Sequence, residues 1–136
     1  MALTRDYAIA LYGWLSEFAP TFRQPVLDGM FDEDNPKPNE YISYSADVGN
    51  FNTDYIQAIT VYSKSTGYTN VMAIVDAIES AIGEDGTKIE AEWGYITVYK
   101  GSPFYQDKED EDSSYRAGYV NLLVRVCQNN VLKSEV

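Results

Sequence analysis

Tyr55-Ile-Gln-Ala-Ile-Thr-Val-Tyr-Ser63, followed after a short link by Thr69-Asn-Val-Met-Ala-Ile-Val-Asp-Ala-Ile-Glu-Ser-Ala-Ile-Gly83, decides the fold class. The first run is β-branched and aromatic, with Ile56, Ala58, Thr60 and Tyr62 alternating against Gln57, Ile59 and Val61. Both of its faces are partly apolar, which suits a central strand covered on at least one side by a helix. The second run changes period. Val71, Ile74, Val75, Ile78 and Ile82 fall at i, i+3, i+4, i+7 and i+11, one stripe of an amphipathic helix with Asp76 and Glu79 on its solvated side. Thr69, or Thr66 one turn earlier, is the expected N-cap, and Gly83 stands where a left-handed C-terminal residue belongs.

Upstream, Tyr41-Ile-Ser-Tyr-Ser45 has the same strand chemistry and is separated from Tyr55 by Asp47 to Asp54, a spacing for an antiparallel hairpin. Asp32-Glu-Asp-Asn-Pro-Lys-Pro-Asn39 is a loop by its charge and two prolines, and a short extended piece is expected around Val26 and Leu27. From Thr4, a plausible N-cap, to about Phe18 the apolar spacing predicts an amphipathic helix that Pro20 stops.

Downstream, Thr87 to Lys100 reads as a strand whose apolar phase shifts at Gly94. Ile89, Ala91 and Trp93 lie on one parity and Ile96 and Val98 on the other. An inserted bulge residue would produce that shift, unless Tyr95, Thr97 and Tyr99 keep the original face without one. Tyr115 to Cys127 is a last strand, with Val120, Leu122, Val124 and Val126 on one face. Gly101 to Ser114 between them reads as a long acidic hairpin arm, and residues 129–136 as a flexible tail. The expectation is a single domain over residues 1–136. Its fold class is α+β, a mostly antiparallel sheet of about four to five strands with two main helices on one face.

Composition narrows the chemistry. The 136 residues include no His, one Cys, 12 Tyr and a formal net charge of −11, yet 45% are hydrophobic. Missing imidazole and Cys pairs remove the commonest general base, the commonest metal ligand and a disulfide framework. No cofactor is expected, an enzyme is disfavoured, and a reducing intracellular assembly site is the default. Acidity argues against wrapping nucleic acid, which needs a basic footprint. The start, MALTRDYAIALYGWLSEFAP, has no basic n-region and is interrupted by Asp6, Ser16 and Glu17, so neither a signal peptide nor a membrane span is expected.

Two groups of residues are candidates for function. The acidic run Asp107, Glu109, Asp110, Glu111 and Asp112 has no EF-hand spacing, and neighbouring solvated carboxylates do not divide into acid and base. A solvated arm tip is the better reading than a metal site. Cys127 has no His to activate it and reads as a buried structural thiol. Tyrosines crowd the strands beyond the needs of one sheet face, and Tyr55, Tyr62, Tyr99, Tyr105 and Tyr115 are candidates for a subunit interface.

The order of elements adds to this. A capped first helix leads to a Pro-containing loop and a Tyr-Ile-x-Tyr strand (Tyr41 to Tyr44). A strand ending Val61-Tyr-Ser-Lys-Ser65 then runs into an amphipathic helix, and the far strand of the last hairpin begins Tyr115-Arg-Ala-Gly-Tyr119. From about Leu3 to Gln128 the pattern resembles the tail terminators of long-tailed bacteriophages, also described as minor capsid or head–tail joining proteins. The resemblance implies a viral structural protein that forms a homo-hexameric ring, without catalytic residues. Such a ring caps the tail tube, ends its polymerisation and presents the head–tail joining surface during virion assembly. It would meet the tail tube protein and a neck or head-completion protein in the virion, after assembly in the host bacterial cytoplasm. Genomic DNA would pass through without specific binding, and an inward-facing acidic arm would repel it. The alternatives are another neck or head-completion subunit and an acidic inhibitor that mimics DNA. Mimics spread carboxylates over folded elements, whereas here they concentrate in Asp28–Asp34 and Asp107–Asp112.

Overall fold

A computed structural model describes residues 3–46, 48–49, 52–108 and 114–128. Helix α1 (Leu3–Leu15) is followed by strand β1 (Thr21–Arg23), a 3-10 turn (Asp28–Met30), β2 (Glu40–Tyr44) and β3 (Tyr55–Ser63). Helix α2 (Thr69–Ile82) then precedes β4 (Thr87–Ala91), β5 (Gly94–Lys108) and β6 (Arg116–Gln128). The strands form one six-stranded sheet in the order β1-β2-β3-β6-β5-β4. Among the described residues, only the β1–β2 pair is parallel; the other strand pairs are antiparallel.

The expected α+β class holds, with a sheet that is larger and mixed. Two strands account for the difference. β1 forms because Pro20 ends the helical path and Thr21-Phe-Arg23 aligns with Ile42–Tyr44; Ile42 N–H donates to Pro20 O at 2.8 Å and Gln24 N–H to Tyr44 O at 2.8 Å. Val26 and Leu27, where an extended piece was expected, lie outside any strand. The second correction is at Gly94. Ala91 pairs with Gly94 and Ile89 with Ile96, so the parity shift is a two-residue hairpin turn through Glu92 and Trp93, not a bulge. The irregularity lies further on, where the β5–β6 register jumps between Lys100 and Tyr105.

That register builds the expected hairpin arm and moves Asp107 from its tip into its first strand. Residues 105–108 pair with β6, Tyr105 opposite Val120 and Lys108 opposite Ala117, so β5 carries the chain through most of the expected loop. Residues 109–113 of the arm and the expected tail, 129–136, lie outside the described residues. At the helices the corrections are smaller. α1 ends at Leu15 rather than Phe18, its last turn tightened by Glu17 N–H to Trp14 O (3.2 Å) and Phe18 N–H to Leu15 O (3.0 Å). Thr4 lies within α1 and does not cap it. Neither Thr66 nor Thr69 caps α2, whose N-cap is Tyr68 without a side-chain bond. Gly83 ends α2 at φ 71°, as expected.

Packing follows the two periods. Tyr7, Leu11 and Leu15 of α1 and Val71, Val75, Ile78 and Ile82 of α2 meet Ile42, Ile59, Val61, Ile96 and Val98 on the sheet. Val120, Leu122, Val124 and Val126 complete this single core, as their alternation predicts. Each such side chain contributes about 1.5–3 kcal/mol when fully buried. Gln57, fully buried at the centre, is satisfied: its Oε1 accepts from Tyr7 Oη at 2.7 Å, and its Nε2 donates to Ser45 O at 2.7 Å. α2 covers β3, β5 and β6, while α1 touches both edge strands, β1 and β4. Six strands at ~4.8 Å spacing span about 24 Å, twice a helix diameter, so the sheet must curl for one helix to reach both edges.

Candidate interaction surfaces

Both helices occupy the concave face, and the opposite face of the sheet divides into two halves. Toward β1 and β2 it is closed by its own aromatic side chains. Tyr41 stacks on Tyr62 with centroids 4.6 Å apart and planes at 14°, and its ring edges meet Phe22 and Tyr115, each at 5.9 Å. Phe31, from the loop before β2, closes on Phe22 at 5.4 Å. Two ammonium groups cover the cluster: Lys37 Nζ lies 4.6 Å from the Tyr115 centroid, and Lys108 Nζ 5.3 Å from that of Tyr62. Tyr115 Oη donates to Pro38 O at 3.0 Å, which pins the loop over the ring.

Toward β4, β5 and the end of β6 the outer face is open. Tyr95, Thr97, Tyr99, Leu123, Arg125 and Cys127 line a shallow depression of about 480 Å³, edged by Asp54. Arg125 Nε donates to Asp54 Oδ1 at 3.0 Å across its margin. Ile56 and Tyr99 are exposed here, at 47% and 41% of their surface. A hydrogen bond with Cys127 is the main cause raising the Tyr95 phenol above its ordinary value. Cys127 is half-buried on this outer face and not in the core, because its parity is opposite to that of Val126.

The five interface tyrosines expected from the sequence therefore separate. Tyr99 alone lies open on the outer face, its ring over Gly86, whose φ of 82° suits glycine. Tyr62 belongs to the stacked cluster, and Tyr115 is buried within it and offers no surface to a partner. Tyr55 faces the helices, 6.1 Å from the ring of Tyr7. Tyr105 also turns to the helix side, over Gly118, and its Oη donates to Asp107 Oδ1 at 2.7 Å. Burial first, and that bond second, push its phenol well above the ordinary range. Asp107 thus sits in a strand and not at a loop tip, while Glu109, Asp110, Glu111 and Asp112 lie outside the described residues.

Alternation already placed Ile56 on the face opposite Ile59 and Val61, but only the pairing of β3 with β6 sets it beside Leu123 on the open side of the sheet. Composition missed the surface beside α1, where Ile9 and Tyr12 are exposed. Among the described residues, no three His, Cys, Asp or Glu side chains converge as metal ligands would. No helix among them is long and apolar enough to cross a membrane. No protein-family model matches this sequence, and no curated protein matches it at a significant level.

Proposed function

We propose that this chain is a structural subunit of a long-tailed bacteriophage, a tail terminator that assembles into a ring on the end of the tail tube. One observation of the fold supports it above the others: the core closes on one face of the sheet, and half of the other face leaves Ile56, Tyr99 and Leu123 for a partner to cover. Tyrosine with aliphatic neighbours and a rim ion pair is the chemistry of a protein interface. In this reading the ring stops tube growth, offers the joining surface to a neck or head-completion protein, and acts without catalysis. The carboxylates of residues 107–112 keep passing DNA from sticking.

The test is the mass of the purified protein by light scattering, with negative-stain imaging, alone and with the tail tube protein. A ring, alone or on tube ends, is expected. A strictly monomeric mass in both conditions overturns the reading, and a one-to-one complex with a nucleic-acid enzyme would favour the DNA mimic instead.

A further inference from the structure

Helix α1 lies in the mouth of the curled sheet and leaves a groove on each side of itself. Toward β1 the groove is about 690 Å³, with Arg5 and Arg23 over an apolar and aromatic wall of Ala8, Ile9, Tyr12 and Tyr44. Toward β4 the groove is about 700 Å³, with Ile89 and Trp93 in its wall and Asp6, Glu17, Glu90 and Glu92 around them. The two grooves share Ile9, which is 58% exposed, and have opposite charge.

The basic groove is the exception in a chain of net charge −11. Among the described residues, no carboxylate lines it. The ion pairs among the described residues are Lys37–Asp28, Lys100–Glu79 and Arg125–Asp54, so neither arginine belongs to one. In the other groove the lone cation, Lys88, lies over the ring of Tyr95, its Nζ 4.6 Å from the centroid. Among the described residues, each groove also ends at an edge strand with no further strand beside it.

We propose that these grooves are the two halves of a contact between copies of this chain, the arginines of one copy facing the carboxylates of the next across α1. A second copy is the occupant that fits, since the same surface carries the carboxylates that complement these arginines and leaves its own arginines for the copy after it. Ile9 and Tyr12 supply the apolar surface that such a contact removes from water. A head-to-tail relation of this kind closes into a ring when its rotation allows. The inference deepens the ring reading above and rests on it for the need to self-associate.

The experiment exchanges the charges. Arg5→Glu with Arg23→Glu makes both grooves acidic; Glu17→Lys with Glu90→Lys makes both basic. All four side chains are exposed, so melting curves should match that of the parent. Each variant alone is expected to lose about ten-fold or more in self-association by light scattering, and an equimolar mixture to regain it. Added salt should weaken association of the parent. Should a reversal fail to fold, the Gln replacements of the same residues carry the same expectation of loss.

Folded variants that associate as the parent does overturn the groove contact and leave the ring reading standing. A mixture that stays monomeric while the parent associates also overturns it. A parent that is monomeric at every concentration, with and without the tube protein, and a mixture that forms no complex, overturn both.

Discussion

The ring of Tyr105 fills the space over Gly118 that a Cβ would need, so two neighbouring strands approach there on the strength of one missing side chain. Gly118 pairs with Asp107 on one side and with Val61 on the other, in the middle of the sheet. Gly118→Ala should cost about 1–3 kcal/mol by overpacking, measured by denaturant unfolding. Adding Tyr105→Ala should make the pair of costs less than additive, because the collision is then gone. Simple additivity would show that the ring is not what excludes the methyl group.

The same tyrosine makes stability sensitive to alkali. Burial and the bond to Asp107 raise the Tyr105 phenol above its ordinary value of 10.0, and burial likewise raises Tyr44. A group that holds its proton more tightly when folded contributes stability that is intact below the unfolded value. That stability is lost as pH rises from about 10 toward the folded value. Unfolding free energy should therefore fall above pH 10, and Tyr105→Phe should make that fall shallower. An unchanged alkaline limb in the variant would remove Tyr105 from the account.

Gln57 is a fully buried polar side chain at the centre of a mainly apolar core. Gln57→Leu removes the acceptor of Tyr7 Oη and the donor to Ser45 O, and should cost about 1–3 kcal/mol although hydrophobicity increases. Pairing it with Tyr7→Phe should recover part of that loss, which denaturant titrations of the two single variants and the double variant can measure. A stabilised Gln57→Leu protein would contradict the assignment.

What the sequence made legible depended on how local the cause was. β3 and α2 follow from their own periodicity, and their bounds agree with the structure to within a residue. The β4–β5 turn was hidden because Glu92-Trp93 carries none of the Asn-Gly or Asp-Gly chemistry that marks two-residue hairpins. β1 was hidden because three residues are too few for a period, and its partner lies about twenty residues away. Residues 101–114 read as a hairpin arm with the strand ending at Lys100, yet pairing with β6 carries the strand onward to Lys108 after the register jump. The interaction surfaces were legible only as a surplus of tyrosine. Which tyrosines turn outward depends on strand parity and on long-range stacking such as Tyr41 on Tyr62, neither of which composition records.

Cys127 tests this directly. A core thiol would cost on the order of 1–2 kcal/mol on truncation to Ala, but the outer-face position predicts a change within about 0.5 kcal/mol. The native thiol should also react with a maleimide without unfolding, as its half-buried position allows. Protection of the thiol up to the unfolding transition, followed by mass spectrometry, would return it to the interior.

The open half of the outer face should matter to assembly and not to folding. Ile56 is 47% exposed, so Ile56→Asp removes little buried surface and should shift unfolding free energy by no more than about 0.5 kcal/mol. A carboxylate there adds unpaired charge to any apolar contact, which costs several kcal/mol when a partner buries it. The variant should therefore melt like the parent, yet fail to add to tube ends in negative-stain images or to complete infectious particles. Lys64→Asp, an exposed change outside the tyrosine strip, serves as the matched control and should leave assembly intact. If Ile56→Asp assembles as well as that control, this face is not where the partner sits.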